Sequence, residues 1–490
     1  MLTDAREVPP GTVVEREVCV IGAGAAGITL GLELAGAPFR VALLESGGFE
    51  PEAETQDLYR GRIHGREYHP LHEARTRRFG GSTHCWTGLC RPLDAIDFEA
   101  REWVAHSGWP FGLEALRPFY ARAQRICLLE DFVTDGSTWA SAERPVLPLP
   151  GDLVETRNLQ VAASRFGEVH RSAITSAANL DTFLHANAVE LRTNEAGTLV
   201  EGVRVATLSG GEFELRARIV VLAAGGIENA RLLLASNRLR PSGLGNDHDL
   251  VGRFFMEHPH FTAAAFLPAR ADLALELYHP HPRGRVSNQA VLVPTAAVAR
   301  RDRILGFWAV LASEGTLPGF ERSLARTVHA LDGGAGDPPL RAVFLLAAGE
   351  QVPNPHSRVR LIEERDALGM PRVQLEWRLS ELDKRSMLRA HQLLARALGR
   401  AGLGRLQILV SEDDAEWPEG MSGGRHHMGT TRMHEDPRQG VVDAHCRVHG
   451  VANLHVAGSS VFPTSGSAGP TLTLVALAIR LADDLKRAFG

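Results

Sequence analysis

The stretch Glu17 to Gly48, EVCVIGAGAAGITLGLELAGAPFRVALLESGG, constrains the fold more than any other part of the chain. Val18, Val20 and Ile21, with Cys19 between them, form a short apolar run rich in β-branched residues, as expected of a buried parallel strand. Gly22, Gly24 and Gly27 follow at once. The first permits a tight turn, the second lets a pyrophosphate approach bare backbone, and the third lets a helix pack on the strand. A helix is predicted over 25–34, with Ala25 and Ala26 in a first turn whose amides and dipole favour phosphate. A second strand over 40–44 ends on Glu45 and Ser46, where a carboxylate binds ribose hydroxyls. An acid there favours an unphosphorylated ribose, hence FAD or NAD over NADP. Glycines alone also build a purely structural strand-turn-helix; the strand, helix and acid falling in register point instead to a dinucleotide.

Composition narrows the rest. At 490 residues the chain exceeds one ordinary core, so two lobes are expected, neither in need of disulfides. A formal charge of -5 with both signs interspersed offers no basic face to nucleic acid. Cys19, Cys85, Cys90, Cys127 and Cys446 are odd in number and scattered, which suits a reducing compartment. No charged and apolar leader pattern opens the sequence, and no apolar run of about 18 residues occurs, so no membrane span is expected and a cytoplasmic address is. Abundant Ala, Gly and Arg with few Lys suggest a GC-rich bacterial source.

A polar excursion over 51–78 leads through Arg78 into FGGSTHCWTGLCRPLD, residues 79–94. Two glycines, two hydroxyls, a His, a Cys and a Trp within residues 80–86 suit a loop wrapped on a ligand better than a core element. With the first stretch, Gly80-Gly81-Ser82-Thr83 and Arg91-Pro92-Leu93-Asp94 resemble the glucose-methanol-choline (GMC) oxidoreductase family, and Trp103 and Ser107-Gly108-Trp109-Pro110 continue the match. The resemblance implies bound FAD, held in part by Gly80, Gly81, Ser82, His84, Cys85 and Trp86. Several members of that family attach the flavin through a His placed where this chain has Cys85, with His84 one residue earlier; a buried free Cys is the plainer reading.

Further on, Ala188 to Leu191 and Leu199 to Val205 read as a hairpin around Asn194-Glu195-Ala196-Gly197. The resemblance places Val189 where the family binds the adenine end through backbone groups. A strand over 217–224 runs into Ala224, Gly225 and Gly226 and then a helix, similar to a third flavin-lobe element of the family. Gly252 to His260 also resembles a segment near the flavin. His258 with His260, and His279 with His281, have too few convergent ligands for a metal site. Between 262 and 405 the pattern alternates like a sheet, followed by a helix over 382–398. This sheet is expected to roof the cofactor, with Phe255 and Trp308 as candidate substrate contacts. The fold class expected is α/β: a Rossmann-like FAD-binding lobe with a second α+β substrate lobe on a mostly antiparallel sheet. Residues 1–150 and 421–490 are assigned to the first lobe, 151–260 to both, and 261–420 to the second.

The last block carries the chemistry. His426 precedes Gly429-Thr430 by the family's interval, and the resemblance makes it the group that faces flavin N5 and takes the alcohol proton. Removing a hydride from a carbinol carbon requires such a base, and imidazole titrates near neutrality. His427, adjacent, points elsewhere in an extended segment; His258 is the other candidate. Gly458 and Ser459 follow a final strand that meets the pyrophosphate in the family. Pro470 and Thr471 open a helix whose N-terminus favours an anionic ring. The family's second active-site residue, Asn or His, is Gly469 here, so a group such as His258 or His260, or water, must substitute. The reading is FAD-dependent oxidation of a CH–OH group in a sugar, glycoside or natural-product alcohol, with oxygen or another acceptor. The alternative is a redox-neutral lyase or cyclase on the same fold; a non-catalytic cofactor binder is the third.

Overall fold

The structure, a computed structural model, describes residues 1–131, 135–162, 164–270, 272–312, 343–410, 417–418 and 420–490. Its first layer is an eight-stranded sheet ordered Leu2–Asp4, Leu180–Leu184, Val41–Leu44, Val13–Ile21, Glu212–Leu222, Val200–Ala206, Asn187–Thr193, with Leu454–Val456 beside the end of Glu212–Leu222. The central strands are parallel and their ends are level: Ile21 pairs with Leu44 and with Leu222, and Leu222 with Val456. Every loop that leaves these four ends therefore opens on the same rim, the place where open α/β sheets hold ligands. Val18, Cys19, Val20 and Val41 to Leu43 are wholly buried, as strands covered on both faces must be. Helices Ala25–Leu34 and Pro470–Ala488 pack together over that core.

The second layer is antiparallel, ordered Gly404–Ile408, Pro259–Pro268, Val343–Gly349, Phe307–Ala312, Val286–Pro294, Val154–Val161, Leu89–Cys90. Alternation decides its two faces. Phe261, Ala309, Leu345 and Ala347 pack with Met387, Leu393, Leu394 and Ala397 of helix Glu381–Arg400. The intervening residues, among them His260, Trp308 and Leu346, face the other way, toward the rim of the first sheet. That helix starts where Ser380 and Asp383 each cap the other's backbone N–H. A small sheet, Arg358–Arg365, Pro371–Trp377 and Gly61–Gly65, flanks the two. The alternating stretch at 313–342 lies outside the described residues. Among the described residues no helix is long and apolar enough to cross a membrane.

One buried ion pair ties the layers together. Arg101, just beyond the Ala95–Phe98 helix, donates to Glu350 at 2.8 Å, and Glu350 also accepts from the Gly306 N–H at 2.8 Å. Both side chains are at most 1% exposed. Glu350→Ala leaves the guanidinium buried and uncompensated, which costs about 3–5 kcal/mol. Chemical denaturation is expected to show that loss; a midpoint within error of wild type would count against it.

Candidate active site

Between the rim and the second sheet lies a cavity of about 560 Å³. Gly22 shapes its floor: at φ +105 its backbone lies where a Cβ would be 2.7 Å from the Ala223 carbonyl oxygen. Gly27 serves the packing of helix on strand, since a Cβ there would sit 1.8 Å from the Gly22 oxygen. Gly24, Gly225 and Gly458 differ. They line the cavity, and a methyl group on any of them would meet no protein atom within 4 Å. Three bare stretches of backbone thus face one elongated space, as a dinucleotide requires. Ala25, Ala26, Ala224, Ser459, Gly469, Pro470 and Thr471 line the same space. No side chain caps the helix that begins at Pro470, so its first-turn amides remain available to an anionic ligand.

Glu45 lies at the far end, with its carboxylate accepting from the Ala23 N–H at 2.9 Å and the Gly47 N–H at 3.0 Å. Burial pushes its pKa up. Those two bonds fix the carboxylate and leave lone pairs for a ribose. Ser46 belongs to a network with Arg77 and Asn187, Arg77 donating to the Ser46 hydroxyl at 2.6 Å. Glu228 accepts from Arg75 at 2.8 Å and from Arg77 and Arg231 at 3.2 Å each. Burial pushes Glu228 up, but Arg231, Arg75 and Arg77 together hold it down at about 2. Arg78 also lines the cavity, and its Nε is buried with no hydrogen-bond partner.

The reactive end is built from histidines. His258 Nε2 lies 2.8 Å from the Gly466 carbonyl, and His258 Nδ1 lies 2.8 Å from His426 Nδ1. A carbonyl only accepts, so His258 carries its proton on Nε2 and offers a bare Nδ1. His426 must then donate from Nδ1, which leaves its Nε2 unprotonated. Burial lowers the His258 pKa to about 4, and burial and the neighbouring histidines hold His426 well below the ordinary value. Both rings are therefore neutral near pH 7. Their backbones hang on one acid: Glu257 accepts from the His258 N–H at 3.0 Å, the His426 N–H at 2.9 Å and the Tyr68 hydroxyl. His427 Nε2 is 2.9 Å from that same hydroxyl, which is already committed to Glu257, so His427 donates and packs against Tyr68 and Phe255.

Several expectations need correction. Gly27, Gly80, His84 and Val189 do not line the cavity. Gly80 donates its N–H to Ala23 at 2.8 Å, seating one glycine turn on the other. The His84 ring turns back onto the Phe79 carbonyl at 2.8 Å. The Val189 side chain is buried in the core and Ala188 lines the cavity, which leaves the backbone contact expected at Val189 a proposal. Phe255 is wholly buried in the Tyr68 and Trp377 cluster, whereas Trp308 does line the cavity. Cys85 is not buried but exposed, accepts from the Thr76 hydroxyl at 3.5 Å and lines the cavity with Gly81, Ser82 and Trp86. Glu257, Tyr68, Arg77, Asn187 and Glu228 were missed; only Glu257, next to His258, carried any sequence signal.

Residues 353–478 match the family model described as GMC oxidoreductase, and residues 17–243 match FAD dependent oxidoreductase. The chain is 26% identical to 2-methyl-1,2-propanediol dehydrogenase of Mycolicibacterium austroafricanum over 97% of its own length and 96% of the relative's. It is 26% identical to paromamine 6'-oxidase of Streptomyces fradiae over 83% of this chain and 78% of that one. Among solved structures, pyridoxine 4-oxidase from Mesorbium loti covers 96% of this chain, with 98% of its own chain matched, TM-score 0.57 and 18% identity. A formate oxidase covers 98%, with 99% of its own chain matched, TM-score 0.59 and 17% identity. These likenesses establish a shared fold.

Gly24 offers a direct test of the cofactor cradle, because its φ of -80 and ψ of -165 suit any residue. Gly24→Val projects methyls into space that the protein leaves free. Far-UV circular dichroism is expected to stay unchanged while bound FAD falls about tenfold or more, the backbone approach being blocked. A fully yellow variant would contradict this placement.

Proposed function

Because this chain belongs to the GMC oxidoreductase family and is an FAD-dependent oxidoreductase, we propose that it oxidises a CH–OH group of a small alcohol, with His426 as base. The named relatives, a propanediol dehydrogenase and a paromamine oxidase, support a substrate of that kind, and a sugar, glycoside or natural-product alcohol fits it. FAD bound along the glycine-lined floor supplies the two-electron acceptor at this site.

The chain's own residues handle the proton. His426 Nε2 is the bare nitrogen left by the hydrogen-bond chain from Gly466 through His258, and that chain is the observation on which the reading rests. When His426 takes the hydroxyl proton it becomes a cation, and its Nδ1–H bond to His258 strengthens as it does so. His258 thus fixes the tautomer and receives part of the charge. His427 is held by the Tyr68 hydroxyl and serves the architecture of the site. Leu89, Leu159, Leu346 and Trp308 wall the space above, excluding water where the proton moves.

Gly469 favours the second reading, a redox-neutral lyase or cyclase, because it offers no side chain to a substrate hydroxyl. Anaerobic mixing with a panel of alcohols separates the two. Loss of the flavin's visible absorbance supports oxidation, and turnover without bleaching supports the alternative. Whether oxygen or another acceptor then reoxidises the cofactor is read from the same mixture on admitting air.

His426→Ala is expected to lower kcat by about 10²–10⁴ while FAD stays bound; wild-type turnover would remove His426 from the mechanism. The pH profile carries a sign. Protonation disables the base, so kcat/KM falls as pH falls, and with His426 held well below its ordinary value the acid limb is expected below about 6.5. A limb at or above that value would contradict the neutral pair.

A further inference from the structure

Another imidazole that borders the cavity has no task in the scheme above. His260 occupies strand Pro259–Pro268, in register with Ala348, which is in register in turn with Trp308 of the next strand. The small Ala348 between them lets the His260 and Trp308 rings meet, their centroids 6.0 Å apart at 78°. On the other side the His426 ring lies 6.0 Å away at 74°. Gly424 makes that neighbourhood possible. A Cβ there would be 2.8 Å from His260 Nε2 and 3.0 Å from His426 Nδ1, so only a residue without one lets both rings share the corner.

Nothing in the protein uses the His260 ring. Its Nε2 is buried without a hydrogen-bond partner, and among the described residues its other nitrogen has none either. An unmet buried nitrogen of this kind costs about 1–3 kcal/mol, and of the four histidines with one among the described residues, His260, His279, His391 and His455, it is His260 that lines the cavity, where a ligand could meet it. Burial lowers its pKa to about 4, which keeps the ring neutral and able to donate one proton without giving it up. Gly469 lines the same cavity and offers no group to the reacting oxygen.

We propose that His260 is a second ligand of the substrate oxygen, donating a hydrogen bond to the atom whose proton passes to His426. This rests on the alcohol-oxidising reading. As the C–H bond gives up its electron pair as hydride and the O–H proton goes to His426 Nε2, the C=O bond forms. The oxygen carries its greatest negative charge in between. A donor fixed there stabilises the transition state more than the alcohol, and His260 ends the step with the proton it began with. The need for a second donor, left open by Gly469, is met from the roof of the cavity instead of its floor.

The test uses the holoenzyme and the alcohol that reduces it fastest. His260→Ala is expected to keep FAD and to lower the anaerobic rate of flavin reduction about 10²-fold, the usual effect of losing one such donor. It should also weaken binding of that alcohol's carbonyl product, read from its perturbation of the oxidised flavin spectrum. His260→Gln, which retains a donor, should recover about tenfold of the rate. Gly469→Asn in the His260→Ala background should recover part as well. Its Cβ meets only the Leu89 carbonyl oxygen, at 3.1 Å, and Asn suits that helix cap. Reduction at the wild-type rate in His260→Ala, or a loss that neither replacement donor relieves, overturns the proposal. If His260→Ala loses its FAD, the Gln variant decides, and its reduction and product binding at wild-type or unrecovered levels overturn the proposal in the same way. If no alcohol bleaches the wild-type enzyme, it is the alcohol-oxidising reading that fails.

Discussion

The site depends on where one buried carboxylate points. Glu257 is fully enclosed and receives hydrogen bonds from the His258 and His426 backbones and from Tyr68, three segments separated by as many as 358 positions along the chain, from Tyr68 to His426. Without it those N–H groups would be orphaned in an apolar setting, at about 1–3 kcal/mol each. The acid is placed in turn by Gln351, whose side-chain oxygen accepts from the Glu257 N–H at 2.9 Å and from the Trp377 indole at 3.0 Å. Gln351 follows Glu350, so the ion pair that fixes the two layers and the network that aims the histidines are adjacent in the chain. Burial raises the Glu257 pKa to about 7.

The other end of the cavity is held by a different balance. Arg75, Arg77 and Arg231 converge on Glu228, and Arg231 also donates to Asp366 at 2.6 Å. Arg77, Arg78 and Arg231 line the cavity there against Glu45 and Glu228, so cationic groups face the space in which an anionic ligand would lie. Arg75 and Arg77 lie over the Tyr59 ring at 3.9 and 4.7 Å, which stiffens the wall without further charge. Glu45 belongs to this end too; burial raises its pKa against the pull of the Arg77 charge, and its hydrogen bonds go to backbone N–H groups, which leaves acceptor capacity for hydroxyls. Positive field and neutral acceptors thus lie side by side, as a molecule with both phosphates and sugars requires.

What the sequence made legible is what the backbone decides locally. The strand, glycine turn and helix at 17–34 and the helix that begins at Pro470 follow from propensity, dihedral freedom and short spacing, whereas the strand's start at Val13 does not, and the His426 motif follows from the family resemblance. Even there, function and packing were confounded. Gly27 and Gly80 hold elements together, whereas Gly24, Gly225 and Gly458 leave room, and a string of letters does not distinguish a glycine crowded by protein from one facing open space. Val189 sits where the pairing of its strand is irregular, between Ala188 and Glu190, and a letter string shows neither that irregularity nor which face each neighbour takes. Tyr68, Gln351 and Asn187 were invisible because their roles are bonds to residues far away in the chain. Only the tertiary fold states such partners.

The separation between orienting a histidine and charging it suits the pair to the base role proposed for it. A carboxylate bonded to an imidazole nitrogen raises that ring's pKa by favouring the cation. Glu257 avoids this by binding the backbone N–H groups of His258 and His426, while the ring of His258 rests on a carbonyl. The acid thereby sets the positions of both rings and contributes no hydrogen bond that would protonate them. Burial then outweighs the Gly466 carbonyl and the Glu350 charge, both of which favour the His258 cation, and the imidazoles stay neutral. In the mechanism proposed here, a neutral alcohol entering this corner would meet a bare nitrogen and no competing charge, and its proton would move as its own electrons begin to leave.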